Sequence, residues 1–202
     1  TITTASISPS SSVVVGSALT CSATATDADD GSLTPTYAWT KSGSSLGTGS
    51  TYTVSFGDSV GASITCTATA TDSASASATS SASVSVENTA PTVITPTTIS
   101  PANGVVTGST AFCSAAIYDA DDSSLTPSYV WSISGTTVSN LFLYTVTASD
   151  SDVGDSLVCT ATATDSAGVS VSSSDTVTIE NTAPTITTAS ISPSSSVVVG
   201  SA

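Results

Sequence analysis

Two stretches of the chain alternate strictly between apolar and hydroxyl-bearing side chains. Residues 19–26 read LTCSATAT and residues 64–71 read ITCTATAT, so every second position is apolar. An alternation of period two is typical of a β-strand with one face buried and the other in water. Because Cys21 and Cys66 occupy the apolar faces of their strands, we expect their side chains to meet between two packed sheets.

The same pattern returns along the chain at two periods, which indicates a repeat architecture. Residues 1–18 recur without change as residues 185–202, a period of 184 residues. Within that long period, one set of residues recurs 92 positions later: Cys21 as Cys113, Trp39 as Trp131 and Tyr52 as Tyr144. The long repeat therefore consists of two diverged units.

The string ENTAP separates the units, at residues 87–91 and again at 180–184. Proline lacks a backbone donor and biases the preceding residue toward extended backbone, so we interpret these strings as linkers. The sequence predicts one domain in residues 1–90, a second in 91–183, and the first strands of a third in 184–202.

Four cysteines allow three disulfide pairings, and the repeat selects one of them. Each unit must function with its own pair, so the predicted bonds are Cys21–Cys66 and Cys113–Cys159. Trp39 and Trp131 each follow the first cysteine of their unit by 18 residues. At that position a neighbouring strand would lay an indole over the bridge.

The order Cys, Trp, Cys in a unit of this length resembles the immunoglobulin-like β-sandwich. The strings TATDADDGSLTPTYAWT and SITCTATATDS are similar to the tandem immunoglobulin-like or PKD-like repeats of very large secreted and surface proteins of bacteria. Ile64 and Leu157 stand where antibody domains carry the tyrosine of the tyrosine corner, so that feature is not expected. The resemblance implies an all-β chain of tandem sandwiches, extracellular and rod-forming, with no catalytic residues.

Composition excludes several classes of function. Of the 202 residues, 83 are Ser or Thr, one is Lys, none is Arg or His, and the net charge is −14. Nucleic-acid binding is not expected, because a phosphate backbone needs Lys and Arg to neutralise it. A disordered or mucin-like stalk shares this composition, but the period-two alternation favours strands. No apolar run is long enough to predict membrane insertion of these residues.

Catalysis is not expected either, because the chain has no His and its Asp and Glu residues collect in loops rather than in a recognisable acid–base pair. Lys41 raises the alternative of an intramolecular isopeptide bond, but its counterpart is Ile133, and we interpret Lys41 as a solvated side chain.

Disulfides predict an extracellular or cell-surface location. No Asn-x-Ser/Thr sequon is present, whereas O-linked glycans on Ser and Thr stay open.

Acidic residues collect in loops that the sandwich topology places at the pole where the chain enters each domain. The candidate ligands are Asp27, Asp29, Asp30 and Asp72 in the first unit, Glu87 and Asn88 in the linker, and Asp119, Asp121, Asp122 and Asp165 in the second unit. Calcium binds six to eight such oxygens, so we predict a candidate calcium site that stiffens the joint. The alternative is that these side chains close turns through backbone hydrogen bonds and keep the chain soluble.

The second unit differs from the first on one predicted outer face. Thr20, Thr26, Gly49 and Thr51 of the first unit are replaced by Phe112, Tyr118, Leu141 and Leu143. The strands that carry them are neighbours in the immunoglobulin fold, so we predict an apolar assembly interface. A one-residue slip of the strand phase would instead bury Phe112 and Leu141. The positions of Cys113 and Cys159 favour the exposed arrangement.

Together these patterns predict a structural repeat unit of an extracellular or cell-surface filament. Its expected partners are further repeats of the same chain and other copies of it. One alternative is the stalk of a calcium-stiffened surface adhesin whose ligand-binding domain lies outside these residues. Accessory domains of an enzyme are a third class with the same sequence features.

Overall fold

The computed structural model of the chain describes residues 1–192 and residue 199. Those residues form strands, turns and loops and contain no helix. No segment among them is a helix long and apolar enough to cross a membrane.

The first sandwich contains nine strands, which alternate with short loops. They are β1 (Ser6–Ser8), β2 (Ala18–Ser22), β3 (Ala25–Asp27), β4 (Gly31–Leu33), β5 (Thr36–Lys41), β6 (Ser44–Thr48), β7 (Thr51–Thr53), β8 (Ser63–Thr71) and β9 (Ser77–Ser85). One sheet has the order β1-β2-β7, and the facing sheet has the order β6-β5-β8-β9. Strands β3 and β4 form a short hairpin at one end.

The second sandwich repeats this arrangement with eight strands. They are β10 (Thr92–Ser100), β11 (Thr110–Asp119), β12 (Ser123–Leu125), β13 (Ser128–Ile133), β14 (Thr136–Ser139), β15 (Leu143–Thr145), β16 (Ser156–Thr164) and β17 (Ser170–Thr178). Strand β11 pairs with β10, β12 and β15, and the facing sheet has the order β14-β13-β16-β17. Every strand pair in both sandwiches is antiparallel, which gives the two-sheet immunoglobulin-like fold that the sequence predicted.

The cores follow the predicted alternation. Leu19 and Ile64 are fully buried on opposing sheets, and each contributes roughly 1.5–3 kcal/mol by leaving water. Along β8 the burial alternates without interruption, so the threonines between its apolar residues are more exposed than their neighbours. Each sandwich has its own hydrophobic cluster, built around Trp39 in the first and Trp131 in the second.

Both predicted disulfides are confirmed. Cys21 bonds to Cys66 and Cys113 bonds to Cys159, in each case between facing sheets with a Cα–Cα distance of 6.4 Å. The bridges lie beside the fully buried indole of each sandwich, because Trp39 is paired in register with Cys66 and Trp131 is paired with Cys159.

The two indoles are also hydrogen-bonded. Trp39 Nε1 donates to the Gly49 carbonyl and Trp131 Nε1 donates to the Leu141 carbonyl, both at 2.9 Å. A buried indole N–H without an acceptor would cost free energy, so these carbonyls complete the burial. The bond also fixes the segment before β7 or β15 against the opposite sheet.

Candidate functional site

The linker that follows β9 is hydrogen-bonded to the loops of the second sandwich. The Asn88 amide nitrogen donates to Asp165 Oδ2 at 2.9 Å. The Thr89 backbone N–H donates to Asp121 Oδ2 at 2.6 Å. Because Asp121 follows β11 and Asp165 follows β16, the linker is held by two separate loops. We call this region, with its surrounding carboxylates, the joint.

The loops at the joint are ordered by their own carboxylates. Asp119 Oδ1 accepts hydrogen bonds from the backbone N–H groups of Asp121 and Asp122, at 2.7 and 2.9 Å. Asp122 Oδ2 accepts one from the Ser166 N–H at 2.6 Å, which ties the loop after β11 to the loop after β16. Such side-chain to backbone bonds are the usual reason for Asp in turns, as the turn-closing alternative predicted.

Four oxygen atoms at the joint are nevertheless buried without any hydrogen-bond partner. They are Asn88 Oδ1, Thr89 Oγ1, Asp119 Oδ2 and Asp121 Oδ1. Across the described part of the chain only five buried side-chain polar atoms lack a partner, so four of the five lie in this one region. Buried polar atoms are normally paired, and a cluster of unpaired oxygens therefore requires an explanation.

The equivalent loops of the first sandwich have similar hydrogen bonds, but their carboxylates are more exposed to solvent. Asp27 Oδ1 accepts from the N–H groups of Asp29 and Asp30, at 2.9 and 3.3 Å. Asp30 accepts from the Ser73 N–H at 2.8 Å, and Asp72 Oδ1 accepts from a backbone N–H four residues on. None of these four carboxylates is buried, and none has a buried unpaired oxygen.

The side chain of Glu87, another predicted ligand, is hydrogen-bonded to the first sandwich and not to the joint. Its Oε1 accepts from the Ser12 N–H at 2.9 Å, and its backbone N–H donates to the Val13 carbonyl. Glu180 makes the same contact with the Gly104 N–H at 2.8 Å. Each glutamate therefore connects the segment after the last strand of its sandwich to the loop after the first strand. The joint thus brings together five of the ten predicted ligands, namely Asn88, Asp119, Asp121, Asp122 and Asp165.

Carboxylates alone do not form a metal centre at the joint. Within residues 1–192 and 199, no three His, Cys, Asp or Glu side chains are grouped so that they could hold a metal ion. A cation there would need the amide and hydroxyl oxygens of the linker as well as the carboxylates. The sequence prediction named Asn88 but missed Thr89, because a threonine among 83 Ser and Thr residues gives no distinguishing signal.

The charge of the joint is not balanced by a basic side chain. The hydrogen bond from the Asn88 amide lowers the pKa of Asp165, against the opposing effect of burial and with the help of backbone N–H groups that include that of Val169. Asp165 is therefore ionised at neutral pH. The only basic side chain of the sequence, Lys41, lies elsewhere and forms an ion pair with Asp58 at 3.1 Å.

A cleft of about 340 Å³ opens beside the joint. Phe56, Ser59 and Val60 line it from the loop after β7, and Asp121, Asp122 and Ser166 line it from the second sandwich. The cleft therefore lies between the two sandwiches, with Asp121 and Asp122 on one of its walls.

The predicted apolar face lies on the outside of the second sandwich. Phe112 is 49% exposed and Leu141 is 62% exposed, while Cys113 points into the core, so the one-residue slip does not occur. Phe112 is paired in register with the half-buried Leu143. Phe142, whose exposure the alternating pattern did not predict, is also exposed, because it lies before the regular alternation of β15 begins.

Tyr118 is separated from this group. It is 41% exposed but lies six residues along β11 from Phe112, about 20 Å at the rise of a strand. Its neighbours across the sheet are Thr92 on one side and Ser124 on the other, and the exposed Ile94 lies on the same strand as Thr92. We therefore define the apolar surface as Phe112, Leu141, Phe142 and Leu143.

Lys41, interpreted from the sequence as a solvated side chain, is partly exposed and forms an ion pair with the buried Asp58. Asp58 is 1% exposed, and its carboxylate accepts hydrogen bonds from the Tyr52 hydroxyl and the Ser55 N–H and pairs with Lys41. Burial alone would raise the pKa of Asp58, but these donors outweigh it and the pKa is lowered. No local pattern distinguishes this Asp from an ordinary turn residue, so its burial could not be predicted from the sequence.

No family model matches the sequence. No curated protein matches it either. Among solved structures, the chain is similar to the three N-terminal domains of the bacteriophage RB49 highly immunogenic outer capsid protein, with 15% identity over 88% of this chain and 58% of that chain and a TM-score of 0.34.

Two further solved structures are similar at the same low level. The fibronectin(III)-like modules of Clostridium thermocellum CbhA share 17% identity over 87% of this chain and 94% of theirs, with a TM-score of 0.32. Extracellular cadherin domains 3–6 of protocadherin gamma B2 share 17% identity over 89% of this chain and 53% of theirs, with a TM-score of 0.37. The immunoglobulin-like fold of this chain is assigned from its own strand pairing and its two intersheet disulfides.

Proposed function

We propose that this chain is a structural repeat segment of an extracellular filament built from tandem immunoglobulin-like sandwiches. The observation that carries the proposal is the attachment of the linker to the next sandwich, through Asn88 to Asp165 and through Thr89 to Asp121. A linker held at two points limits bending between neighbouring sandwiches. The same ENTAP string recurs at residues 180–184, so the same attachment is available to a following unit.

Two intersheet disulfides support an extracellular setting. Disulfides persist under oxidising conditions and are rare in reducing compartments. Small sandwiches with few large apolar residues gain stability from such bonds, because each bridge restricts the unfolded chain.

We propose that the apolar surface of the second sandwich packs against a second copy of the chain. The first sandwich carries Thr20 and Thr51 where the second carries Phe112 and Leu143, so the apolar surface occurs once per long repeat. A chain with 15 acidic residues and one Lys offers no complementary charges for a lateral contact between copies. An apolar contact is therefore the available means of lateral association.

Electron microscopy of the native material tests the proposal. We expect fibres with an axial repeat of roughly 70–90 Å, the length of two sandwiches from strand rise plus loops. Fibres of several laterally packed chains support the filament and the apolar contact. Single threads that end in a distinct globule would contradict the filament and favour the adhesin stalk.

A further inference from the structure

The buried unpaired oxygens of the joint come from both sides of the boundary between linker and sandwich. Asn88 and Thr89 supply an amide and a hydroxyl oxygen from the linker, and Asp119 and Asp121 supply one carboxylate oxygen each. The side chain of Asp119 is almost completely buried, at 1% exposure. A buried carboxylate oxygen without a donor is costly, because it loses water and gains nothing in return.

In each of these two carboxylates, one oxygen accepts hydrogen bonds from the backbone and the other accepts none. Asp119 Oδ1 accepts two backbone hydrogen bonds, and Asp121 Oδ2 accepts the Thr89 N–H. These bonds fix the orientation of each carboxylate and leave Asp119 Oδ2 and Asp121 Oδ1 as the unpaired atoms. The bonds therefore hold Asp119 Oδ2 and Asp121 Oδ1 in fixed positions, although no group of the protein donates a hydrogen bond to either atom.

The charge at the joint is not neutralised by a basic side chain of the protein. Asp122 and Asp165 lie beside Asp119 and Asp121 through the hydrogen bonds to Ser166 and Asn88. The sequence contains one Lys and no Arg or His, and Lys41 is paired with Asp58. No side chain of this protein is available to neutralise the four carboxylates.

We propose that the joint binds one calcium ion through side-chain oxygens of Asn88, Thr89, Asp119 and Asp121. All four donors are hard oxygens, with neither sulfur nor imidazole nitrogen, which favours calcium over zinc. Calcium tolerates irregular sites of six to eight oxygens, so backbone carbonyls and water can complete the shell, whereas magnesium demands a near-ideal octahedron. The ion would join the linker to the second sandwich, because each contributes two ligands.

Isothermal titration of the full chain with CaCl₂, after removal of divalent ions by chelation, tests the site. We expect one ion per chain with a dissociation constant of about 10⁻⁴–10⁻³ M, as in other extracellular modules. The substitution Asp121→Asn keeps the shape of the side chain and removes one charge. We expect it to weaken binding by about ten-fold or more, because loss of a residue that only supports a metal ligand already costs about ten-fold and Asp121 is itself a proposed ligand.

A matched control lies 92 residues earlier. Asp29 is the counterpart of Asp121 but is exposed, and it has no buried unpaired oxygen. We expect Asp29→Asn to leave calcium binding unchanged. Equal losses for the two variants would mean diffuse attraction by an acidic surface and would overturn the proposal.

Thr89→Val provides a second variant, outside the sandwich, that leaves the loops of the second unit intact. It removes only the hydroxyl oxygen, and the backbone N–H that Asp121 accepts is kept. We expect weaker calcium binding with an unchanged circular dichroism spectrum.

Absence of binding heat from the parent chain up to about 10 mM CaCl₂, well above the weakest affinity of such modules, would mean that water fills the joint and would overturn the proposal. The result does not depend on filament formation, because all four proposed ligands lie within one chain.

Discussion

The Asn88 amide nitrogen lies 2.9 Å from Asp165 Oδ2, so the linker is bonded to a loop 77 residues further along the chain. A hydrogen bond to an ionised carboxylate is stronger than one between neutral groups. The contact also lowers the pKa of Asp165, which keeps the acceptor charged. This pair therefore restrains how the second sandwich is oriented on the linker.

Removal of that contact is expected to loosen the joint without unfolding either sandwich. In Asn88→Ala, the rotational correlation times of the two sandwiches, measured by ¹⁵N relaxation, should fall and diverge, because the units then tumble more independently. Asn181→Ala is the matched control, since Asn181 occupies the same place in the second ENTAP string and is exposed. Unchanged correlation times in Asn88→Ala would mean that other contacts hold the joint.

The two disulfides should stabilise their sandwiches about equally. They close loops of 45 and 46 residues, for which the chain-entropy description gives about 4 kcal/mol each. We expect Cys21→Ala/Cys66→Ala and Cys113→Ala/Cys159→Ala to lower the free energy of unfolding of the affected sandwich by about 2–5 kcal/mol in urea titrations. Each variant serves as the control for the other, because the untouched sandwich should retain its transition.

Acid should weaken the first sandwich through Asp58. Its pKa is lowered in the folded state, so its contribution to stability is present above the unfolded pKa of about 3.9 and is lost as pH falls through the lower folded value. Tyr52→Phe removes one donor to the carboxylate and should raise the folded pKa. We expect a loss of about 1–3 kcal/mol at neutral pH and a shallower decline of stability below about pH 4.

Tyr37→Phe is the control for that prediction. The Tyr37 hydroxyl contacts only backbone groups of Ala23, at 3.2 and 3.4 Å, so its loss should not change the pH dependence. Free energies of unfolding measured in urea between about pH 2 and 7 distinguish the two variants. Parallel curves for Tyr52→Phe and the parent chain would contradict the role of the Tyr52–Asp58 bond.

Lateral assembly should depend on the apolar surface. Phe112→Thr/Leu143→Thr gives the second sandwich residues that the first already carries as Thr20 and Thr51, so the fold should persist. We expect sedimentation velocity and electron microscopy to show loss of lateral packing. Val130→Thr/Val169→Thr changes two exposed apolar residues outside this surface and should have no effect. Filaments that pack normally after the Phe112 and Leu143 changes would exclude this contact.

Strand phase and disulfide pairing could be predicted from the sequence because both depend on local or repeated patterns. The side-chain direction in a strand alternates at every residue, so the position of Cys21 among small apolar residues determines its inward direction. A repeat that conserves its own Cys, Trp and Cys leaves one consistent pairing. The exposure of Phe112 follows from the same alternation, since its neighbour Cys113 must point inward.

The tertiary structure decided which acidic residues share an environment. Asp27 and Asp119 occupy equivalent positions and close equivalent turns, yet only Asp119 is buried, because the linker residues Asn88 and Thr89 are docked at the loops of its sandwich. Glu87 stands beside Asn88 in sequence but bonds to Ser12, 75 residues away. Burial, hydrogen bonding and unpaired oxygens depend on segments that are distant in sequence, and no local periodicity records how those segments meet.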